Sequence, residues 1–260
     1  MLGAIAGDMI GVPWESSGEK RHDFPLFTEY SRFSDDTVMT VAIASALLEN
    51  RDYAPAMRAY GRRHIFAGFG KSFQDWLLHE ELGPYESYGN GGAMRAGPIG
   101  FAAQSAEEAL EEALRCASHT HNHPEGVKGA QAVALAVFLA RTGVGKEGIR
   151  QELAARFGYD LDRTVGSIRP GHTFDVAAAR SVPEAIVCFL DAQDFEDAVR
   201  NAVSLGGDAD TMACIAGVIA EAHWGGVPEA IEREVRGRLP EEFADVLDRF
   251  RARYMNLGGV

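Results

Sequence analysis

Cysteine is scarce: Cys116, Cys188 and Cys214 are the only three in 260 residues, far apart and without the close spacing of a metal-binding pair. That excludes a disulfide framework and makes a reducing, cytoplasmic setting the expected one. Basic residues are also few, 25 Lys and Arg against 38 Asp and Glu, for a formal net charge of −13. A chain this acidic offers no positive surface to nucleic acid or to an anionic membrane. Long hydrophobic runs are missing as well. The longest, around 130–140, is bounded by Lys128 and Arg141 and falls short of a bilayer span. The opening stretch Met1 to Asp8 is too short for a signal core and has no basic flank. Finally, no run of alternating β-branched residues is long enough to compel a strand.

What remains is helical periodicity. It predicts helices over 2–11, 35–49, 54–66, 70–80, 105–117, 126–142, 145–156, 182–192, 194–204, 209–223, 227–236 and 240–254. Several have recognisable starts: Ser34 and Asp35 as caps, Pro183-Glu184 and Pro240-Glu241-Glu242 as first turns, and acids at 194–197 where the helix dipole favours them. The intervening loops, 12–33, 81–100, 118–125, 157–181 and 205–208, hold most of the Gly, Pro, His and aromatic residues outside the helices. Long loops of this kind usually carry function. No linker or low-complexity segment divides the chain, so it reads as one all-α domain spanning 1–260.

Acidic residues are concentrated in a repeated pattern. Ser34-Asp35-Asp36-Thr37 and Gly207-Asp208-Ala209-Asp210-Thr211 each open an apolar, Ala-rich helix. A single such motif is adequately explained as an N-cap. Capping needs one acid per helix, however, and here the doubled acids and the Thr recur. If the two ends meet, four carboxylates and several hydroxyls converge, and like charges cannot crowd without a cation. An all-oxygen set suits Mg²⁺ or Mn²⁺ rather than zinc. Small residues at Ala42, Ala44, Ala46 and Ala213, Ala216, Gly217, Ala220 would let the two helices approach closely. Cys116 and Cys214 fall on apolar helix faces, as inert core thiols do.

Three further stretches stand out. Gly89-Asn90-Gly91-Gly92-Ala93-Met94-Arg95 allows left-handed backbone and close approach of N–H groups to an anion, or is a simple Gly-rich turn; it is not a P-loop, lacking Gly-Lys-Ser/Thr. His119-Thr120-His121-Asn122-His123-Pro124-Glu125-Gly126 reads as a loop before a helix. Its histidines suit zinc, a sugar hydroxyl or phosphate, or a purely structural role, and the N–H groups from Gly126 onward suit a diphosphate. Glu15 and Asp8 are lone acids, and such acids are ordinarily solvated.

Together these pieces resemble the ADP-ribosylglycohydrolase family, in the family's order: Gly3 to Asp8 with Glu15, Ser34-Asp35-Asp36-Thr37, Gly89 to Arg95, Thr120 to Pro124, and Gly206 to Thr211. The resemblance implies an all-α orthogonal helical bundle holding two divalent cations, Mg²⁺ or Mn²⁺, on Ser34, Asp35, Asp36, Asp208, Asp210 and Thr211. Glu15 is then the mobile glutamate beside the metals, and Asp35, Asp36 and Glu15 are the catalytic acids. Gly89, Asn90, Gly91, Gly92, Met94, His121, His123, Pro124 and Gly126 become the substrate loops. The implied substrate is ADP-ribose joined to an acceptor, and the implied reaction is hydrolysis at the anomeric carbon. The competing readings are a non-catalytic ADP-ribose-binding module and a zinc hydrolase built on His119 to His123.

Overall fold

The structure, a computed structural model, describes residues 1–15, 17–18 and 20–255. Its helices are α1 (Leu2–Gly11), α2 (Asp35–Leu48), α3 (Tyr53–Arg63), α4 (Lys71–Leu78), α5 (Gly91–Met94), α6 (Gly97–Ala102), α7 (Ala106–Ala117) and α8 (Pro124–Arg141). They continue as α9 (Lys146–Phe157), α10 (Val165–Ile168), α11 (Ala178–Asp191), α12 (Phe195–Leu205), α13 (Ala209–Trp224), α14 (Glu229–Arg236) and α15 (Glu241–Phe250), followed by a π turn at Arg251–Met255. Among the described residues there is no strand, only an isolated antiparallel bridge between Gly89 and Ala177. The all-α expectation holds.

The organising helix is α13, buried from Ala209 to Ala222 and packed against α1, α8, α11 and α12. A helix apolar all round belongs in the core, and α1, with every residue buried, is its closest partner. Glycine makes that contact possible. A Cβ at Gly7 would stand 2.0 Å from the Ala213 carbonyl oxygen, and one at Gly3 would stand 2.3 Å from that of Gly217. The expected close approach of the two acid-bearing helices therefore falls instead on α1 and α13. Amphipathic helices such as α7, α14 and α15 cover the outside with charged faces. All three cysteines are free and buried, Cys116 and Cys214 on apolar helix faces as expected, and burial pushes the thiols up, away from the reactive thiolate.

Several boundaries differ from the sequence reading. The stretch 81–100 contains α5 and the start of α6, and 157–181 contains α10, opened by a Thr164–Ser167 capping box. Helix α8 opens at Pro124 rather than 126, because His123 Nδ1 accepts from the Glu125 N–H, 3.1 Å. Helix α11 opens at Ala178, where the Ala177 carbonyl accepts from Arg180 and Ser181, each 3.0 Å. Pro183 thus lies inside that helix instead of starting it. The last helix gives way to the π turn at Arg251. No described helix is long and apolar enough to cross a membrane.

Candidate metal centre and ligand cleft

The two acidic motifs meet. Ser34 caps α2, its Oγ accepting from the Asp36 N–H at 3.3 Å, which sets Asp35 and Asp36 in the first turn. Asp208 and Asp210 are delivered by a turn at Gly206 and Gly207, both at φ +75°, a conformation that favours glycine. A Cβ at Gly207 would also stand 3.0 Å from Phe174 Cα and 3.1 Å from His172 Nε2. The junction is direct: Thr211 Oγ1 donates to Asp36 Oδ2 across 3.2 Å. Beside it, Asn90 Nδ2 donates to Asp208 Oδ2, 2.6 Å, tying the Gly-Asn-Gly block to the second motif.

A fifth buried carboxylate completes the cluster, and sequence reasoning undervalued it. Asp8 projects from α1 with no exposure. Its oxygens accept from Ser34 N (2.9 Å), Ser34 Oγ (2.7 Å), Thr37 N (3.1 Å) and Thr37 Oγ1. The signal was present in the sequence: an acid on a helix apolar on every other face must be buried, and a buried acid needs a reason. Ligand oxygens of Asp8, Asp36 and Asp210 lie within 4.8 Å of one another, as do those of Glu15, Asp208 and Asp210. Asp35 belongs to neither group; it faces Gly68, whose added Cβ would sit 3.1 Å from Asp35 Oδ1.

Burial, then mutual repulsion, raises these carboxyls. Asp36 and Asp210 are held well above the usual range, burial first and neighbouring aspartates next. Asp8 and Asp208 are raised by burial despite the hydrogen bonds that oppose it. Asp35 is pushed up to about 7 by burial and then by Asp8. Glu15 is raised by burial and by Asp208 and Asp8. Asp36 Oδ1 is buried with no hydrogen-bond partner among the described residues. An orphaned oxygen among convergent carboxylates is what a hard divalent cation fits. Among the described residues neither convergent group includes a histidine, so the zinc reading of His119 to His123 fails. Burial holds His119 and His121 below their ordinary pKa, and the His123 Nδ1 is occupied by the α8 cap.

Above the acids lies a cleft of about 580 Å³, lined by Glu15, Asp35, Asp36, Asp208, Asp210 and Thr211 at one end. Gly89, Asn90, Gly91, Met94 and His121 line it as expected, whereas Gly92, His123, Pro124 and Gly126 do not. A Cβ at Gly126 would meet the Ser87 carbonyl at 2.6 Å, and one at Gly92 would meet His121 Cβ at 3.2 Å. Nor do the block's glycines use left-handed backbone: Gly91 and Gly92 are helical, and a Cβ at Gly91 would stand 2.7 Å from His121 Nε2. The sequence reading also missed the wall formed by Gly68, Gly70, Lys71, Ser72 and Phe73, where α4 begins without a side-chain cap. Gly-Phe-Gly before a helix was the available signal. Loop 12–33, which carries Glu15, is anchored by Lys20 Nζ donating to the carbonyls of Arg169 (2.8 Å), His172 (2.6 Å) and Leu205 (2.5 Å).

A second missed element holds His121 in place. Arg95 is fully buried, and its Nη2 donates to Thr120 Oγ1 at 2.7 Å. The same hydroxyl lies 2.8 Å from His121 Nδ1, so it links the guanidinium to the imidazole. Burial, then Arg95, holds the His121 pKa well below its ordinary value, which favours the neutral imidazole. Thr120→Val removes the acceptor of this buried guanidinium. It is expected to lower stability by about 2 kcal/mol in urea melts, the scale of a lost buried hydrogen bond to a charged group, while Thr120→Ser restores it; equal stability in all three proteins would refute the link.

The comparisons with known proteins now have a geometry to be set against. The profile of the ADP-ribosylglycohydrolase family matches residues 1–258. The chain belongs to the ADP-ribosylglycohydrolase family. Similar proteins include the mouse ADP-ribosylhydrolase ARH3, 28% identical with 91% of this chain and 86% of that protein covered. The ADP-ribosylarginine hydrolase Tri1 of Pseudomonas putida (strain GB-1) is 26% identical, covering 86% and 69%. A solved structure described as an ADP-ribosylglycohydrolase-related protein complex superposes with a TM-score of 0.70 at 25% identity, covering 96% of each chain.

Proposed function

We propose that this family member is a divalent-cation-dependent hydrolase that releases ADP-ribose from an acceptor. The observation that carries the reading is the meeting of Asp8, Asp36 and Asp210, with Asp36 Oδ1 unpartnered, at the end of a cleft sized for a nucleotide-like ligand. Asp8, Asp36 and Asp210 would hold one Mg²⁺ or Mn²⁺, and Asp208 and Asp210 a second, with Asp35, Ser34 and Thr211 adjoining and Glu15 beside them without being a permanent ligand. The chemistry supplied there on binding is polarisation of the ribose hydroxyls and of water.

The chain's own groups do the rest. Asp35 stands outside both ligand groups with its carboxyl at about 7, poised to take a proton from water attacking the anomeric carbon. Glu15, likewise raised, is placed to protonate the departing acceptor. The transition state has oxocarbenium character, as glycoside cleavage does generally. The diphosphate is assigned to the uncapped start of α4 across from His121, instead of to the 121–127 loop. This suits a chain with few free cations. Tyr85, Tyr88 and Phe174 on the walls supply flat surfaces for adenine.

Glu15→Gln keeps size and removes the proton donor. It is expected to lower kcat about a hundredfold, the scale of general-acid catalysis, and to move the melting temperature little. Steady-state kinetics at several Mn²⁺ concentrations check this; a change under about twofold would mark an ordinary surface glutamate. The function itself is tested by incubating the protein and Mn²⁺ with ADP-ribose linked to arginine, to serine, to acetate and to a second ADP-ribose, and measuring free ADP-ribose. Release from at least one substrate is expected. Release from none, with ADP-ribose still bound, would make the protein a binding module.

A further inference from the structure

A second groove of about 460 Å³ adjoins the ligand cleft and is confluent with it, because Glu15, Asp35, Gly68 and Asp210 line both. Its other walls include Arg32, Phe33, Arg63, His64 and Phe66. If the nucleotide fills the first cleft and the scissile bond lies over the acids, the leaving group must point across that shared boundary. The groove is therefore placed to receive the acceptor, an inference that rests on the glycohydrolase reading.

Beyond the acids it shares with the cleft, its walls carry Arg32, Arg63 and His64. Arg63 Nη1 and His64 Nε2 are both bound to Glu242, at 2.9 and 3.1 Å. Arg32 is exposed and makes no hydrogen bond or salt bridge among the described residues; its charge acts on Glu15 at the shared boundary. Phe66 lines the same groove, 100% exposed, at the tip of the segment between α3 and α4. Phe33, on the same wall, packs against Phe243 at 5.4 Å. An exposed guanidinium in a groove with aromatic surface is complementary to a carboxylate next to apolar groups, and repels a cationic one.

We propose that this groove binds the acceptor as an acidic peptide segment, with Arg32 selecting carboxylates beside the modified residue and Phe66 covering an apolar neighbour. Arg32 and Phe66 are specificity residues here: they touch the acceptor, not the reacting atoms.

The test uses three ADP-ribose conjugates with the 260-residue protein and Mn²⁺: p-nitrophenyl ADP-ribose with no peptide, and two peptides modified at the same residue but flanked by Glu or by Lys. The ratio of kcat/KM for the Glu and Lys peptides is read within each variant, so any effect on the common chemistry cancels. The parent is expected to favour the Glu peptide about fivefold, the scale of one partly exposed charge pair. Arg32→Glu should bring the ratio below one, Arg32→Gln should bring it near one, and Phe66→Ala should lower both peptides relative to the p-nitrophenyl conjugate. A parent ratio of one, or a ratio unmoved by Arg32→Glu, overturns the proposal. So does faster, Arg32-dependent turnover of ADP-ribose linked to a second nucleotide, which would make the occupant a nucleotide. No turnover of any conjugate, the p-nitrophenyl one included, would refute the glycohydrolase reading instead.

Discussion

Asp210→Asn is expected to reduce turnover about a thousandfold while leaving the helical circular dichroism unchanged. Asp210 is the one side chain common to both convergent groups, so its loss weakens both places at once. Cation-assisted chemistry is worth several kcal/mol, and each 1.36 kcal/mol is about tenfold in rate. The same change should make the metal-free protein melt higher, by about 3 °C per kcal/mol relieved, because one buried charge is removed from a set whose members already raise one another. Loss of activity with a gain in metal-free stability separates a functional acid from a structural one. A lower melting temperature in the variant would count against the crowding argument.

The second large effect concerns the cation and pH together. Added Mn²⁺ is expected to raise the melting temperature by about 10 °C when present at a thousand times its dissociation constant, since that excess contributes about 4 kcal/mol. The size should depend on pH in a fixed direction. The Asp35 carboxyl is raised from 3.8 to about 7 in the folded protein, so that state holds its proton more tightly than the unfolded chain does. Its contribution to stability is complete below 3.8 and is lost as pH rises through 7. Asp36 and Asp210, also held well above the usual carboxylate range, act in the same sense. Metal-free protein should therefore lose stability between about pH 4 and pH 8, and Mn²⁺ should restore most at the alkaline end. Thermal melts at several pH values, with and without Mn²⁺, provide the check. A pH-independent melt would contradict the convergence.

Much of this was legible in the sequence, and the reasons differ by element. Helix positions followed from periodicity because α2, α7, α12 and α13 carry strong caps or uniform apolar faces. The duplicated acids announced their own meeting, since two carboxylates per helix start exceed what a cap needs. Short helices escaped: α5 and α10 span a single turn, too little for a period to show. Their glycines look like loop residues until the neighbour that demands them, His121 for Gly91, is in place. Asp8 was undervalued because a lone acid is ordinary; only the total burial of α1 makes it exceptional. The small-residue seam was read onto the wrong helix pair for a related reason. Small residues permit close approach, but do not name the partner, and it was Gly3 and Gly7 of α1 that met α13. Arg95 and Thr120, whose hydrogen bond reaches His121, lie in two separate motifs, and nothing in their spacing joins them.

The most direct test of the account is the rate of ADP-ribose release by chelator-stripped protein, measured against increasing Mn²⁺ on whichever conjugate it turns over. The account predicts no release without added cation, a saturable rise with Mn²⁺ or Mg²⁺, and near-complete loss of that rise in Asp210→Asn. Full activity in excess chelator, or an undiminished rise in the variant, would contradict it.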